Sequence, residues 1–478
     1  MMVFLWYQEL LIEMNHKNLN SLTLVQALKA LADKQISLDE IYESVNSAIK
    51  ESQKLNIYLT LNPQARVQAK KAYQAHLPLA GLPIAVKDNY CTKNLKTTAA
   101  SLVLDNFIPQ FDATVIYRLK KAGGVVLGKT NMDAWAHGSS TETSDWGPTL
   151  NPRNPKYLPG GSSGGTTAAV AANTCIAGLG TETAGSIRQP SAWCGVVGLK
   201  PTYGRVSRSG IVAMASSTDS PGPITKTVED AALMLQQMAG HDEADSTTNP
   251  QAVPNFGQDL KKGVKGLKIG LLYSDVPELK KVMSLIEPEL KTFERLGAHL
   301  EPAQALDPHY AIGVYTIVQR AEVSSNLARY TGIRYGQDRS HLGDEARRRI
   351  MLGTFTLSKG YADRYYTTAQ KVRSLYRRDF AKLFSKYDLL ISLSNPGFAK
   401  KVGATKGEAM FGELEDMLLE PSSIVGLPGI NVPCYRDDKT NLYLGLNIMA
   451  PMWREDLILR SGWAFEQATD WNQWAKAK

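Results

Sequence analysis

Two segments rich in glycine and serine contain the residues of this sequence best suited to chemistry. The first reads Gly-Gly-Ser-Ser-Gly-Gly over residues 160–165, and the second occupies residues 178–188. Glycine lets backbone N–H groups approach a ligand closely or adopt positive φ. Two such loops can therefore form a cradle for an anion or an oxyanion. A pair of tight turns is the alternative, and the two loops alone do not decide between these interpretations.

The first loop matches two familiar motifs only in part. A phosphate-binding loop requires a lysine after its last glycine, and no lysine follows either glycine cluster. Residues 161–165 fit the pattern G-x-S-x-G, with Ser163 as the nucleophile. That pattern requires a preceding strand, whereas three prolines in residues 151–159 exclude a central strand there. Neither a nucleotide site nor a Ser-His-Asp hydrolase is favoured.

A serine nucleophile in these loops needs a base. The seven histidines have no suggestive spacing, and only His137 lies beside a hydroxyl-rich stretch. A lysine can act as base when burial lowers its pKa. Lys87 ends the apolar run 82–86 and Lys129 follows the run 125–128, so each lies at the end of a predicted strand. The residues alone do not choose between these lysines, and a solvated strand-end charge is the alternative for each.

The elements that must position these residues alternate between strands and helices. Short apolar runs predict strands at residues 82–86, 125–127, 267–273 and 389–393, and a hairpin at 430–434 and 442–449. Helical spacing predicts helices at 112–122, 227–239 and 279–296, a mostly helical stretch at 321–384, and a last helix from residue 454. Residues 21–53 form a helical start, with a capping box at Ser37 and Glu40. This alternation predicts an α/β fold.

The composition is that of a folded protein. Of 478 residues, 43% are hydrophobic and 21% charged, and a formal charge of +8 is an ordinary excess at this length. The four cysteines lie far apart, without the spacing of a metal or redox site, which indicates reduced thiols in the cytoplasm. No apolar run reaches the roughly 20 residues that cross a bilayer, and the N-terminus resembles no signal peptide. We expect a soluble cytoplasmic protein without a membrane segment.

Taken together, the motifs resemble the amidase signature family. The resemblance is carried by Lys87 within residues 81–88, by Ser162 in the first loop, by Ser186 in Gly-Ser-Ile-Arg, and by residues 194–202. It implies an α/β amidase signature fold, in which a large mixed β-sheet core is flanked by helices on both faces. The catalytic domain would occupy residues 61–478, after an N-terminal helical segment of residues 1–60.

The resemblance also implies a role for each catalytic residue. Ser186 would be the nucleophile and Lys87 the base, with Ser162, in a cis peptide, relaying the proton between them. The backbone N–H groups of Thr183, Ala184, Gly185 and Ser186 would form the oxyanion hole. Ala184 stands where the family usually has glycine, and Glu182 where it has aspartate. The methyl group of Ala184 excludes backbone angles that only glycine adopts.

Within the family, residues 20–470 resemble the glutaminase subunits, known as A subunits, of glutamyl-tRNA(Gln) amidotransferases. The matching passages are residues 128–133, 138–143, 200–208, 324–329 and 348–354. They imply that Lys129 is structural. They also imply that Arg349 binds the α-carboxylate of glutamine and Asp416 its α-ammonium, with Tyr315 nearby. A solvated helix face for Arg349 and an acidic surface run for Asp416 are the alternatives.

Glutamine would then be the substrate, and the ammonia released from it would pass to a partner. The resemblance implies a heterotrimer in which ATP and Mg²⁺ act at a kinase and transamidase partner, the B subunit, and a small third partner, the C subunit, braces the assembly. This chain would hold no cofactor and no metal, and tRNA would contact mainly the partner. Two alternatives remain: a free-standing amidase acting on another carboxamide, and a scaffold without activity. Arg349 and Asp416 argue against the first, and the intact Lys87, Ser162 and Ser186 argue against the second.

Overall fold

The computed structural model describes residues 19–273, 275–332, 336–408 and 410–474. Predictions for the first 18 residues lie outside this part. The strands are β1 Tyr58–Leu61, β2 Pro83–Lys87, β3 Val125–Thr130, β4 Ala177–Glu182, β5 Val197–Lys200, β6 Ser220–Thr225, β7 Lys268–Leu271, β8 His299–Pro302, β9 Leu389–Leu393, β10 Gly429–Asp437 and β11 Leu442–Met449.

Fourteen α-helices accompany these strands in the described part of the chain. They are α1 Leu24–Ala32, α2 Leu38–Glu51, α3 Ala65–Gln74, α4 Thr114–Lys121, α5 Gly164–Ala171, α6 Arg188–Cys194, α7 Val228–Met238, α8 Lys280–Arg295, α9 Pro308–Asn326, α10 Asp344–Leu357, α11 Thr368–Phe384, α12 Phe411–Asp416, α13 Glu420–Ile424 and α14 Glu455–Ala468. In this part of the chain, no helix is both long enough and apolar enough to span a membrane.

All eleven strands belong to one mixed sheet. Their order across the sheet is β1-β3-β2-β4-β6-β5-β10-β11-β9-β7-β8. Strand β2 pairs in parallel with β3 and β4, whereas β6 pairs antiparallel with β4 and β5. The predicted α/β fold with a large mixed sheet is confirmed.

The burial of the strands explains why helices cover both faces of the sheet. Every residue of β2, β3 and β4 is buried. Successive side chains of a strand point to opposite faces, so complete burial requires cover on both sides. The parallel pairing of β2 with its two neighbours places their carboxyl ends at one edge of the sheet. The predicted helices on both faces are therefore confirmed.

The N-terminal helices pack on the body of the protein. Both begin with a capping box, formed by Thr23 with Gln26 and by Ser37 with Glu40, so the prediction for α2 is confirmed. Their apolar sides join the same buried cluster as the sheet. In addition, the backbone N–H of Val25 donates a hydrogen bond to Asp230 Oδ1 at 3.0 Å. The boundary between residues 60 and 61 remains a prediction.

Several central elements were not predicted. Strand β4 contains two glycines and β6 contains Pro221 and Pro223, and all their residues are buried. Glycine and proline disfavour strands, so the sequence pattern gives no strand signal in these segments. Their pairing with each other and with β2 and β5 holds them in the sheet. The helices predicted within residues 321–384 are confirmed by α10 and α11, with α9 beginning earlier, at Pro308.

Candidate active site

Lys87 is the last residue of β2 and has no exposed surface. Its Nζ donates hydrogen bonds to Ser162 Oγ at 2.8 Å and to the carbonyl of Thr181 at 3.1 Å. Burial lowers the pKa of Lys87 to about 7, although the charges of nearby acids, Asp133 first among them, oppose this shift. An amine in this environment is partly neutral near pH 7, as a base must be.

Ser162 lies in a loop that is closely surrounded by backbone and carboxylate groups. The Gly161–Ser162 peptide bond is cis. A Cβ atom on Gly161 would lie 2.1 Å from Asp133 Oδ2 and 2.6 Å from the backbone nitrogen of Ser140, so only glycine fits there. Asp133 Oδ2 also accepts hydrogen bonds from the N–H groups of Ser140 and Thr141 at 3.1 and 2.8 Å. Asp133 thus joins the loop containing Ser162 to the hydroxyl-rich segment after His137.

Ser163, the candidate from the G-x-S-x-G pattern, lies in a different environment. Among the described residues, no strand precedes it between residues 151 and 159, as its prolines predict. Its hydroxyl donates a hydrogen bond to the carbonyl of Thr181 at 3.1 Å, and it is completely buried. Ser163 immediately precedes α5. The local structure is therefore unlike a nucleophile elbow.

Ser186 lies in the turn between β4 and α6, and 5% of its surface is exposed. Its carbonyl accepts a hydrogen bond from the N–H of Ser163 at 3.1 Å, which joins the two glycine-rich loops. Glu182 and Arg188 close the turn through a buried ion pair at 2.5 Å. Glu182 Oε2 also accepts hydrogen bonds from the N–H groups of Ile187 and Arg188 at 3.2 and 3.0 Å. The glutamate at position 182 thus fixes the turn that contains Ser186.

The three other residues of the predicted oxyanion hole, Thr183, Ala184 and Gly185, lie in the same turn. Thr183 Oγ1 donates a hydrogen bond to Asp219 Oδ1 at 2.7 Å, and burial raises the pKa of Asp219 to about 6. The carbonyl of Ala184 accepts a hydrogen bond from Ser423 Oγ at 2.5 Å. Ala184 is not among the described non-glycine residues with positive φ. Its methyl group therefore causes no backbone strain, contrary to the concern raised by the sequence.

Lys129, the other candidate base, is bound by groups outside the serine loops. Its Nζ lies 3.1 Å from Asp88 Oδ1, and it donates hydrogen bonds to the carbonyl of Tyr90 at 2.7 Å and to Thr97 Oγ1 at 2.8 Å. These three partners satisfy the three donors of an ammonium group. The structure therefore brings Lys87, and not Lys129, to the serine loops.

A cavity of about 710 Å³ opens beside this region. Its lining includes His137, Ser139, Glu345, Arg349 and Glu413. Among the described residues, the lining does not include Ser186 itself. Asp416 connects the cavity to the Ser186 turn, because it contacts Ser139 in the cavity lining and lies against Gly185 in the turn.

Asp416 lies between the cavity and the turn. Its Oδ2 accepts a hydrogen bond from Ser139 Oγ at 2.8 Å. A Cβ atom on Gly185 would lie 2.3 Å from Asp416 Oδ1, which places this carboxylate against the turn. Oδ1 is buried and has no hydrogen-bond partner in the described part of the chain. Burial raises the pKa of Asp416 well above its usual range. The acidic-surface alternative for Asp416 is wrong, because 4% of the residue is exposed.

Arg349 lies on the buried side of α10. Its Nε donates a hydrogen bond to Glu345 Oε1 at 2.5 Å. Burial opposes its charge, but the carboxylates of Glu345 and Glu413 outweigh this effect and raise the pKa of Arg349 above its usual value. The side chains of Arg347 and Arg348 are 51% and 42% exposed, whereas that of Arg349 is 5% exposed. The solvated-face alternative therefore holds for its two neighbours and is wrong for Arg349.

Tyr315 and His137 both lie near Arg349, and His137 lines the cavity. Tyr315 is buried on α9, and its pKa is raised by burial, while Arg349 and Asp416 are among the charges that act on it. Both ring nitrogens of His137 lack a hydrogen-bond partner among the described residues. Burial, followed by the charges of Arg349 and Arg320, holds the pKa of His137 well below its usual range. His137 is therefore a neutral ring beside two arginines.

Four residues of this region were not singled out from the sequence. Asp133 and Ser139 lie in two of the passages that carry the family resemblance, but neither was assigned a role there. Glu345, which is partly buried, pairs with Arg349, and the buried Glu413 pairs with Arg320, with Arg320 Nη2 at 2.8 Å from Glu413 Oε1. A glutamate is usually exposed, so the sequence alone gives no sign that these two lie against arginines in the interior. In the described part of the chain, no group of three or more His, Cys, Asp or Glu side chains is placed to hold a metal ion.

A model of the family described as Amidase matches residues 40–459. The chain belongs to the amidase family.

Its similar relatives include the glutamyl-tRNA(Gln) amidotransferase A subunit of Halothermothrix orenii, which is 45% identical over 94% of this chain and 98% of that protein. The protein of the same name from Akkermansia muciniphila is 43% identical over 92% of this chain and 98% of that one. Among solved structures, the glutamyl-tRNA(Gln) amidotransferase A subunit of Thermotoga maritima superposes with a TM-score of 0.81. It is 36% identical and covers 95% of this chain and 96% of that one.

Proposed function

We propose that this chain is the glutamine-hydrolysing subunit of a glutamyl-tRNA(Gln) amidotransferase. The observation that carries the proposal is the buried hydrogen bond between Lys87 and Ser162, 2.8 Å long, beside the turn that contains Ser186. A lysine whose pKa is lowered to about 7 can accept a proton at neutral pH. The names of the similar relatives support glutamine as the source of nitrogen.

The reaction begins when Ser186 Oγ attacks the side-chain amide carbon of glutamine. Its proton passes to Ser162 Oγ, while the proton of Ser162 passes to the neutral amine of Lys87. The carbonyl oxygen becomes an oxyanion, and the backbone N–H groups of residues 183–186 stabilise it. The same relay then returns the proton to the amide nitrogen, the C–N bond breaks, and ammonia leaves. A glutamyl ester of Ser186 remains.

Water completes the cycle. It attacks the ester carbon and gives a proton to the relay of Ser162 and Lys87, which forms a second oxyanion in the same cradle. When this intermediate collapses, the C–O bond to Ser186 breaks and the proton returns to Ser186 Oγ. Glutamate leaves, and the enzyme regains its first state. Serine, relay and base thus serve both halves of the reaction.

The cavity selects the substrate. Arg349 can bind the α-carboxylate of glutamine through its terminal nitrogens, because its Nε is occupied by Glu345. The raised pKa of Asp416 favours its neutral form in the empty site, but a bound α-ammonium group favours the carboxylate, which can then pair with it through Oδ1, an atom with no other partner in the described residues. Tyr315 lies close enough to both for their charges to act on it. A substrate with both α-groups therefore gains two ionic contacts.

The ammonia is used elsewhere. We propose that it passes to a partner, the transamidase subunit, where ATP and Mg²⁺ activate glutamyl-tRNA for amidation, and that a small third subunit braces the two. Contact with tRNA lies mainly on the transamidase subunit. The assembly acts in protein synthesis, in the cytoplasm.

Ammonia release from glutamine tests the proposal. The purified chain is assayed alone and with the transamidase and small subunits of the same organism, together with the variants Ser186→Ala and Ser163→Ala. We expect release that rises with the partners and disappears in Ser186→Ala. Ser163→Ala is the matched control, because it removes a neighbouring buried hydroxyl but leaves the relay intact. It should retain turnover at least about tenfold above the Ser186→Ala background.

Two results would contradict the proposal. Turnover retained in Ser186→Ala would show that Ser186 is not the nucleophile. Hydrolysis of simple amides by the chain alone, without release from glutamine, would indicate a free-standing amidase.

A further inference from the structure

The outward side of α10 concentrates exposed apolar side chains. Met351 is 72% exposed, Leu352 42% and Phe355 47%. Tyr361, just after the helix, extends the patch, because its ring lies 4.4 Å from that of Phe355. We call Met351, Leu352, Phe355 and Tyr361 the α10 ridge. Single exposed apolar residues are normal on a protein surface, but a contiguous group marks an interaction site.

The opposite side of α10 is already packed. A Cβ atom on Gly353 would lie 1.9 Å from the carbonyl oxygen of Arg320, so α10 approaches the backbone of α9 as closely as glycine permits. Arg349 and Thr356 are buried on this same side. The ridge is therefore an exposed apolar face on a helix whose other side already packs against α9. The fold of this chain alone gives no reason for it.

Charge around the ridge limits what can cover it. Between residues 347 and 386, nine exposed lysines and arginines stand against two aspartates, and two of the nine, Arg347 and Arg348, pair with Asp344 and Glu345. Lys359 and Arg364 are exposed immediately after α10, on either side of Tyr361 in the chain. An occupant that buries the apolar centre must therefore present acidic groups, or phosphates, at its border.

The side chains at the centre favour a protein over a nucleic acid. Met351 and Leu352 offer packing to other apolar side chains, whereas binding to exposed bases uses aromatic faces. The aromatic members of the region are stacked or tilted against each other, with Tyr361 and Tyr365 6.0 Å apart. A protein surface with apolar side chains matches the exposed methionine and leucine.

We propose that the α10 ridge is the docking surface for a partner protein whose own face is apolar at its centre and acidic at its border. This proposal rests on the proposed function, because a partner that receives ammonia must bind near Ser186, where the ammonia is released. The position is suitable, since residues 343–346, 348 and 349, at the start of the same helix, line the cavity. Docking on α10 places the partner beside the substrate pocket.

Binding of the full chain to the transamidase and small subunits of the same organism tests the ridge. The variant Phe355→Asp places a negative charge at the centre of the ridge. The matched control is Tyr117→Asp, because Tyr117 is a 58% exposed aromatic residue on another helix, α4. We expect the Kd to rise at least tenfold in Phe355→Asp and to remain unchanged in Tyr117→Asp. Met351→Asp should match Phe355→Asp, and it serves if Phe355→Asp does not fold.

The other outcomes overturn the proposal in distinguishable ways. Equal binding by the wild type and the folded ridge variants would reject the ridge but leave the proposed function standing. A wild-type dimer that Phe355→Asp dissociates would identify a second copy as the occupant. Loss of tRNA binding, with binding of the two partner proteins unchanged, would identify a nucleic-acid surface. A wild type that neither binds these partners nor releases ammonia from glutamine would reject both the ridge and the function.

Discussion

Lys87 and Lys129 illustrate how much the neighbours of a residue decide. Both lysines are fully buried at the ends of adjacent strands. Burial lowers the pKa of each, because it disfavours the charged form. Lys129 is paired with Asp88, whereas Lys87 donates a hydrogen bond to Ser162. Only Lys87 has a serine hydroxyl from which it can take a proton.

With Lys87 as the proposed base, we expect the pH dependence of turnover to follow its pKa, about 7. Only the neutral amine accepts a proton, so activity is present above this pKa and is lost as the pH falls through it. We expect kcat/KM for glutamine to fall about tenfold for each pH unit below the midpoint. Glutamine itself does not titrate there. The measurement is a pH–rate profile from pH 5 to 9.

The control for this profile is His137→Asn. His137 is the other candidate base near the cavity, and its pKa lies well below its usual range. The midpoint should therefore stay near pH 7 in this variant. If the pH–rate profile of His137→Asn lost its midpoint near pH 7, the base would be His137 and not Lys87.

We expect Arg349 to determine the affinity for an α-carboxylate. Hydrogen bonds to charged groups contribute roughly 1.5–3 kcal/mol each. Arg349→Ala should therefore raise the KM for glutamine about 10- to 100-fold and change the KM for a small amide without a carboxylate much less. Steady-state kinetics with both substrates make the comparison. Arg347→Ala, a change on the exposed side of the same helix, should affect neither, and equal effects of Arg349→Ala on both substrates would refute the pocket.

At the scale of elements, the contact between α9 and α10 positions the proposed substrate pocket. Tyr315 and Arg320 lie on α9, and Glu345 and Arg349 lie on α10. The close approach of the two helices at Gly353 therefore determines the distances among these side chains. A change of helix separation should act on substrate binding before it acts on the chemistry at Ser186.

Gly353→Ala tests this contact. The added methyl group would meet the carbonyl oxygen of Arg320 at 1.9 Å, so the helices must separate. Overpacking of this kind costs about 1–3 kcal/mol. We expect a lower Tm and a KM for glutamine that rises more than kcat falls. Gly313→Ala on α9 is the control, because nothing lies within 4 Å of its new methyl group. It should be neutral or stabilising by up to about 1 kcal/mol, and equal losses in both variants would reject the argument.

At the scale of the whole molecule, the N-terminal helices and the sheet share one buried cluster. Leu24 and Ile41 belong to it together with Ile84 and Leu179 of the central strands. Lys226 Nζ also donates hydrogen bonds to the carbonyls of Asn20 and Leu22, at 2.5 and 2.8 Å. These contacts couple the start of the described chain to β6 and α7.

Calorimetry tests this coupling. We expect one thermal transition for the full chain, because α1 and α2 cannot unfold without exposing the shared cluster. Leu24→Ala removes a completely buried side chain and should destabilise the protein by about 2–5 kcal/mol. It should shift the whole transition to lower temperature. An early transition that moves alone in Leu24→Ala would instead define an independent N-terminal unit.

The sequence by itself determined the local features. A capping box and apolar spacing predicted α2, apolar spacing predicted α7, and apolar runs predicted β2, β3 and β9. These signals are visible because caps and periodicity involve residues close in the chain. The family resemblance supplied the candidate residues Lys87, Ser162 and Ser186. Strands β4 and β6 gave no such signal, since their glycines and prolines are held by neighbouring strands.

Only the tertiary structure decided which lysine meets the serines. In the pairing of β2 with β3, Lys129 lies opposite Val86, and Lys87 lies opposite Thr130. This offset of one residue points the two lysines to opposite faces of the sheet, because side chains alternate along a strand. One face presents Ser162 and the other presents Asp88. The register is set by pairing between distant segments, so residue spacing within either strand could not reveal it.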